Sequence, residues 1–177
     1  MSKQLRDVYV VAATRTPIGK SGRGVFKNTR PDDLLVATIK NALKQVPTLD
    51  PAAIEDAIVG CAMPEGEQGM NVAKIATLLS GLPKTVAGAT VNRFCAAGIT
   101  AVSMAADRIR VGEAEVMIAG GVESMSMVPM GGSKPSFNPK VVDLDENVGI
   151  AYGMGMTAEK VAEQWGISRE EQDAFAT

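Results

Sequence analysis

Apolar, β-branched runs alternate strictly with helical stripes through the first 122 residues, and this pattern predicts an α/β domain. The runs at 8–13 and 57–62 are apolar at nearly every position, as expected of parallel strands covered on both faces. Alternation of this kind implies right-handed βαβ units with helices on either side of a mostly parallel sheet. The length, 177 residues, suits one domain, and a chain of this size buries about two-thirds of its unfolded surface.

Residues 8–13 are expected to form the first strand. A Gly-rich, basic loop over 15–30 follows, and Pro31 then opens a helix. Proline is tolerated in the first turn, Asp32 and Asp33 suit the positive end of the dipole, and Leu35, Ile39, Ala42, Leu43 and Val46 make one stripe. After Asp50-Pro51, residues 57–62 are the second strand, and Val72, Ile75, Ala76 and Leu79 repeat at helical spacing until Gly81 and Pro83 stop them. Residues 87–94, 96–110 and 116–122 are expected as the third strand, third helix and fourth strand. From 96 to 106 (AAGITAVSMAA) the third helix carries no charge, so it is expected to be buried on all sides, with another layer beyond it. Residues 123–149, rich in Met, Pro, Gly and Ser, interrupt the alternation. Thr157 is expected to open a helix over 158–165, and Ser168 with Glu171 makes a capping box for another. A helix stopped after about nine residues without a terminating signal is marginal alone, so the chain is expected to end inside an element.

Composition narrows the chemistry. The 18 Lys and Arg against 20 Asp and Glu give a net charge of −2, which offers no reason to expect a nucleic-acid partner. The sequence holds no His, so an imidazole base or a His-ligated metal cannot come from these residues. Two cysteines, Cys61 and Cys95, are too few for a disulfide framework or a zinc knuckle and fit free thiols in a reducing, cytoplasmic setting. The apolar run near the start is shorter than a signal-peptide core and far short of a membrane span.

Two phosphate-binding patterns fail on context. Gly19-Lys20-Ser21 resembles the end of a P-loop, but the required Gly five positions earlier is Thr14. Gly153-Met154-Gly155-Met156-Thr157-Ala158 fits a dinucleotide fingerprint by letter, yet no buried strand precedes it, and a Gly-Met-Gly turn before a Thr-capped helix accounts for it. The methionines clustered at Met125, Met127, Met130, Met154 and Met156 fit either core filler or a flexible acyl-binding surface. Cys61, at the end of a strand, reads as a small buried hydrophobe. Cys95 lies where VNRF leaves a strand and AAG begins a helix. There the helix dipole, with Arg93 nearby, favours a thiolate, and the Cys95 N–H points where an oxyanion would form. Position alone leaves two readings of Cys95 open, an activated nucleophile or an inert thiol.

The segment VNRFCAAGITAVSMAADRIRVGEAEVMIAGGVESMSMVPM closely resembles thiolases, above all the degradative 3-ketoacyl-CoA thiolases (acetyl-CoA acyltransferases). RTPIGKSGRGVF, GCAMPEGEQGMNVAKIATLLSGLP and MGMTAEKVAEQWGISREEQDAFA resemble the same family, so the likeness covers nearly the whole chain. It implies the N-terminal βαβαβαβ half of a five-layer αβαβα subunit. Residues 1–122 would be the α/β domain carrying the nucleophile, and 123–177 the beginning of an inserted loop domain. It assigns Cys95 as the nucleophile that attacks the keto carbon of a 3-ketoacyl-CoA and holds the acyl group as a thioester until a second CoA takes it. The reverse reaction is a Claisen condensation. CoA thioesters are substrates, and neither a metal nor a bound redox cofactor is implied.

In the family a His in a Gly-His-Pro motif, a second Cys in a Cys-x-Gly-Gly-like motif and an Asn complete the site, and these residues contain none of those motifs. The 177 residues alone are therefore expected to be inactive. Met154 matches a Met that lines the acyl pocket. Gly153 stands where short-chain biosynthetic members often have His, which points to fatty-acid β-oxidation. Asn92, Gly120, Gly121 and Glu123 match positions that support the Cys turn. The resemblance also implies a homodimer or tetramer formed through the N-terminal halves. Two other readings are a ketoacyl-synthase-type condensing enzyme, against which ESMSMVP and MGMTAEKVAEQWG argue, and a non-catalytic thiolase-like interaction module.

Overall fold

A computed structural model describes residues 5–143, 149–150 and 152–177, which fall into two compact units, Met1–Lys134 and Pro135–Thr177. The first unit contains α1 (Pro31–Gln45), β1 (Asp56–Gly60), α2 (Val72–Leu79), β2 (Ala87–Val91), α3 (Ala97–Arg110) and β3 (Met117–Gly121). Its three strands form one parallel sheet in the order β2-β1-β3. Asp56 aligns with Ala87 and Met117, and Gly60 with Val91 and Gly121, so the three strands end level.

All five residues of β1 are buried, as a central parallel strand requires. Successive side chains point to opposite faces. Val59 joins Leu35 and Ile39 of α1 and Val72, Ala73 and Ala76 of α2 in one core, while Ile58 meets Ala101 and Ala105 of α3 in the other. Each fully buried Val, Leu or Ile among them contributes about 1.5–3 kcal/mol. The chain steps from β1 to β2 through α2 on one face, then back across β1 to β3 through α3 on the other. Reversing both direction and face keeps one crossover hand, as the βαβ rule demands.

Local signals set the ends. Asp32 and Asp33 occupy the first turn of α1, with the Arg30 guanidinium donating to both Asp32 carboxylate oxygens at 2.9 Å. Asn71 caps α2 from a left-handed conformation, and Gly81, at φ 85°, follows its end. Arg108 in the last turn of α3 pairs with Asp56 at the start of β1 and, at 3.1 Å, with Glu113.

Three expectations for the first unit change. Residues 8–13 form no strand: Tyr9, Val10 and Val11 are exposed, and the segment is held by the Gln45 amide, which bonds both the N–H and C=O of Ala13, and by Arg6 N–H to Arg110 C=O. Pairing needs an edge about 4.8 Å away. Instead an apolar cavity of about 240 Å³ is bounded by residues 8–12, α1, α3 and β3, so the strand-forming composition meets no ladder. Second, α3 is buried on one face only. Ala97, Ala101 and Ala105 pack on the sheet, while Ile99, Val102 and Met104 are exposed, because the first unit supplies a single sheet for them to cover. Third, β2 stops at Val91 rather than continuing to 94, because Phe94 turns the backbone left-handed at φ 47°.

In the second unit, α4 (Met154–Trp165) ends at Gly166 with φ 64°, and α5 (Arg169–Ala176) follows. Thr157 does not open α4. The helix begins at Met154 from Gly153, and the Thr157 hydroxyl bonds back to the Gly153 carbonyl at 3.3 Å. The capping box forms as expected, Glu171 N–H to Ser168 Oγ at 3.2 Å and Ser168 N–H to Glu171 Oε2 at 2.8 Å. No helix among the described residues is long and apolar enough to cross a membrane.

Candidate active site

Open parallel sheets bind ligands at the carboxyl ends of their strands. Here those ends lead into three loops tied together by the side-chain amides of Gln68, which is buried, and Asn92, which is exposed. Gln68, fully buried, donates from Nε2 to the Met63 carbonyl at 2.9 Å and to Glu123, and accepts from Ser124 N–H at 3.0 Å. Glu123 also accepts from Ala62 N–H at 2.7 Å. The Ala62 carbonyl takes a hydrogen bond from Asn92 Nδ2 at 2.9 Å, and Asn92 Oδ1 accepts from Phe94 N–H at 2.8 Å. The loops after β1, β2 and β3 are thus one network, and it ends on the residue before Cys95.

Cys95 sits in a short 3-10 turn, Phe94–Ala96, that runs directly into α3. Its side chain is exposed. Phe94 holds a left-handed conformation that a bulky side chain rarely adopts, and the Asn92 side chain stabilises it. Among the described residues the Cys95 N–H meets no backbone or side-chain acceptor. The turn lies close to the sheet because glycine lines the approach. A Cβ on Gly60 would stand 2.2 Å from the carbonyl carbon of Ala97, and one on Gly121 would stand 3.3 Å from the Gly98 Cα. A Cβ on Gly120 meets open space.

The other thiol differs in kind. Cys61 is 1% exposed, directly after β1, with its N–H bonded to the Val91 carbonyl at 3.0 Å. Burial, helped by the nearby Glu123 carboxylate, pushes its pKa up to about 11, so it stays protonated at neutral pH. It fills space, as a small hydrophobe would.

Met154 belongs to the second unit, where it begins α4 with its side chain exposed. Met125, Met130 and Met156 are exposed as well. The nucleotide-fingerprint letters at 153–158 lie on the N-cap and first residues of α4, and among the described residues no strand leads directly into them. Among the described residues no group of three or more His, Cys, Asp or Glu is placed to hold a metal ion. Sequence reasoning missed Gln68. A lone glutamine after a Gly-Glu pair carries no signal, and only the fold shows it bridging two loops.

Fold and site together define a parallel α/β domain that displays a cysteine on a tight strand-to-helix turn, with glycines admitting the helix to the sheet end. The chain belongs to the family described as thiolase, N-terminal domain, whose model matches residues 8–177. It is 42% identical over 172 residues to a 3-ketoacyl-CoA thiolase of Bacillus subtilis, covering 97% of this chain and 43% of that protein. A 3-oxoadipyl-CoA/3-oxo-5,6-dehydrosuberyl-CoA thiolase of Escherichia coli is 41% identical over 186 residues, covering 97% and 46%. The crystal structure of the Bacillus anthracis acetyl-CoA acetyltransferase superposes with a TM-score of 0.80 at 35% identity, covering 98% of this chain and 45% of that one. The chain spans less than half the length of these relatives.

Proposed function

We propose that these residues carry the nucleophile of an acetyl-CoA C-acyltransferase that cleaves 3-ketoacyl-CoA with a second CoA. The observation that carries this reading is Cys95, an exposed thiol on a braced strand-to-helix turn at the carboxyl edge of a parallel sheet, in a chain of this family. The Cys95 thiolate adds to the C3 ketone. The C2–C3 bond breaks, its electron pair leaves as the enolate of acetyl-CoA, which takes up a proton, and the acyl group stays on sulfur as a thioester. The thiolate of a second CoA adds to that thioester and expels Cys95 as thiolate. In both steps negative charge builds on a carbonyl oxygen, and the free Cys95 N–H is a donor for it.

The sequence holds no His, so the base that deprotonates Cys95 is assigned to residues beyond these 177. Met154 is proposed to line the acyl pocket, and Gly153 to leave room for longer chains, which suits fatty-acid β-oxidation in the cytoplasm. Homo-oligomerisation through the first unit, and turnover without a metal or bound redox cofactor, belong to the same proposal. The relatives named for 3-ketoacyl-CoA and 3-oxoadipyl-CoA support a 3-oxoacyl thioester as the substrate class.

Intact-mass spectrometry after mixing with acetoacetyl-CoA tests the reading. The longer enzyme containing these residues is expected to gain an acetyl group that its Cys95→Ala variant does not, with kcat in the variant down about a thousandfold or more. The 177-residue chain alone is expected to sustain no thiolysis. Acetylation of the Cys95→Ala variant at an equal level, or steady thiolysis by the short chain, overturns it.

A further inference from the structure

We infer that Gln68 is a positioning residue for acyl transfer, holding the Cys95 turn in its working geometry through Glu123, Ala62 and Asn92; the inference rests on the acyl-transfer reading above. Gln68 is 0% exposed, so it touches no substrate that arrives from solvent. Its amide is nonetheless fully engaged. Nε2 donates to the Met63 carbonyl at 2.9 Å and to Glu123, and Oε1 accepts from Ser124 N–H at 3.0 Å. Burying an amide costs its hydration, and ordering a long side chain costs entropy, so an apolar residue of the same length would fill this space at less expense. What the amide adds is a clamp between the loop after β1 and the loop after β3.

The clamp acts where the sheet gives out. Ladder bonding reaches as far as Cys61 N–H to the Val91 carbonyl and Val122 N–H to the Gly60 carbonyl, both at 3.0 Å. One residue further, the backbone of Ala62 is held by side chains on both sides. Its N–H goes to Glu123 at 2.7 Å, and its carbonyl accepts from Asn92 Nδ2 at 2.9 Å. Asn92 Oδ1 in turn accepts from Phe94 N–H at 2.8 Å. Phe94 sits at φ 47°, a conformation that a bulky side chain keeps only where its surroundings over-determine it. Glu123, Asn92 and Phe94 are exposed, so Gln68 is the buried root of this line of bonds. The root is itself fixed. Gln68 closes the short turn Gly66–Gln68, its N–H bonds the Glu65 carbonyl at 3.0 Å, and the neighbouring Glu67 carbonyl meets the Arg30 guanidinium at 3.5 Å.

The residue after Phe94 is Cys95, which brings both the nucleophile and the N–H that meets the developing oxyanion. Misplacing such groups by about 1 Å costs on the order of a hundredfold in rate. The oxyanion exists only along the reaction path, so loosening the turn lowers kcat and leaves KM nearly unchanged.

The test uses the longer enzyme, with activity expressed per Cys95 thiol titrated in the native protein. Gln68→Met is expected to lower kcat about ten- to a hundredfold with KM within about twofold. Wild-type kcat per titrated thiol, or a raised KM at unchanged kcat, overturns the inference. Gln68→Glu keeps the shape and the acceptor for Ser124 N–H but sets a carboxyl against Glu123. When ionised, the two repel; when protonated, the new carboxyl donates as the amide did. Glu123 is the ionisable group bonded at this position, and Cys61, which it faces, keeps its proton at neutral pH. The ratio of variant to wild-type kcat is therefore expected to rise as pH falls, a readout that survives if Gln68→Met does not fold. A ratio flat in pH overturns the inference. Combining Gln68→Met with Asn92→Ala is expected to cost no more than the larger single loss, since both act on one line of bonds; losses that multiply mark independent roles and overturn it. If the wild type shows no Cys95-dependent thiolysis, the acyl-transfer reading fails instead. Hydrogen exchange at the Phe94 amide then decides Gln68, with faster exchange in Gln68→Met expected and equal exchange overturning its positioning role.

Discussion

Cys61 and Cys95 follow adjacent, hydrogen-bonded strands, yet their surroundings send them in opposite directions. One follows a fully buried strand and is covered by its own core; the other rides an exposed turn. In the native protein at pH 8 one thiol is expected to react rapidly with a disulfide reagent and two after denaturation, with Cys95→Ala removing the fast phase. Two fast thiols in the native state would contradict this assignment. The raised Cys61 pKa also sets the sign of a pH effect. Its folded value, about 11, lies above the ordinary thiol value of 9.0, so its contribution is complete below pH 9 and is lost as pH rises towards 11. The unfolded thiol ionises in that window while the folded one retains its proton. The loss amounts to about 2–3 kcal/mol. A Cys61→Ala variant is expected to show a flatter fall in urea midpoint between pH 9 and 11 than the wild type, and parallel curves would remove Cys61 as the cause.

Elements are held to one another by two different devices, and variants separate them. Ile58 is a packing contact between β1 and α3, so Ile58→Ala is expected to cost about 2–5 kcal/mol in urea unfolding while leaving Cys95 reactive. Gly60 is a clearance. A methyl group there collides with the backbone of Ala97, not with a flexible side chain, so Gly60→Ala is expected both to destabilise, by about 1–3 kcal/mol or more, and to alter the labelling rate of Cys95. Wild-type stability and labelling in Gly60→Ala would show that α3 can retreat freely. What was legible in the sequence follows the same division. The stripe of α1, the bounds of α2 and the capping box of α5 are written in local spacing and caps, and they form where expected. The turn at Cys95 was legible because a buried strand ran straight into small residues. Residues 8–13 and the second face of α3 were misread because periodicity reports that a surface is apolar, not whether a partner lies within reach. Thr157 was misread because a threonine can cap a helix or bond one turn back, and only the backbone decides.

At the scale of the first unit, these two misreadings describe a single physical situation. Ile99, Val102 and Met104 on α3, and Tyr9, Val10 and Val11 in the leading segment, leave large apolar side chains in water. Contiguous apolar surface of this kind marks a contact rather than a solvated face. The chain also covers only 43% of the Bacillus subtilis relative, so a longer protein has residues available to meet those faces. The 177-residue chain is therefore expected to bind a hydrophobic dye strongly, and a longer protein that contains it to bind the dye less. Replacing Val102 and Met104 together by Gln, on the uncovered face of α3, is expected to reduce dye binding by the short chain with little loss of its stability, since neither side chain is buried there. In the longer enzyme the same pair is expected to cost several kcal/mol, because each polar amide would then enter an apolar interface without a partner. Equal effects in the two chains would mean that this face stays in water in both.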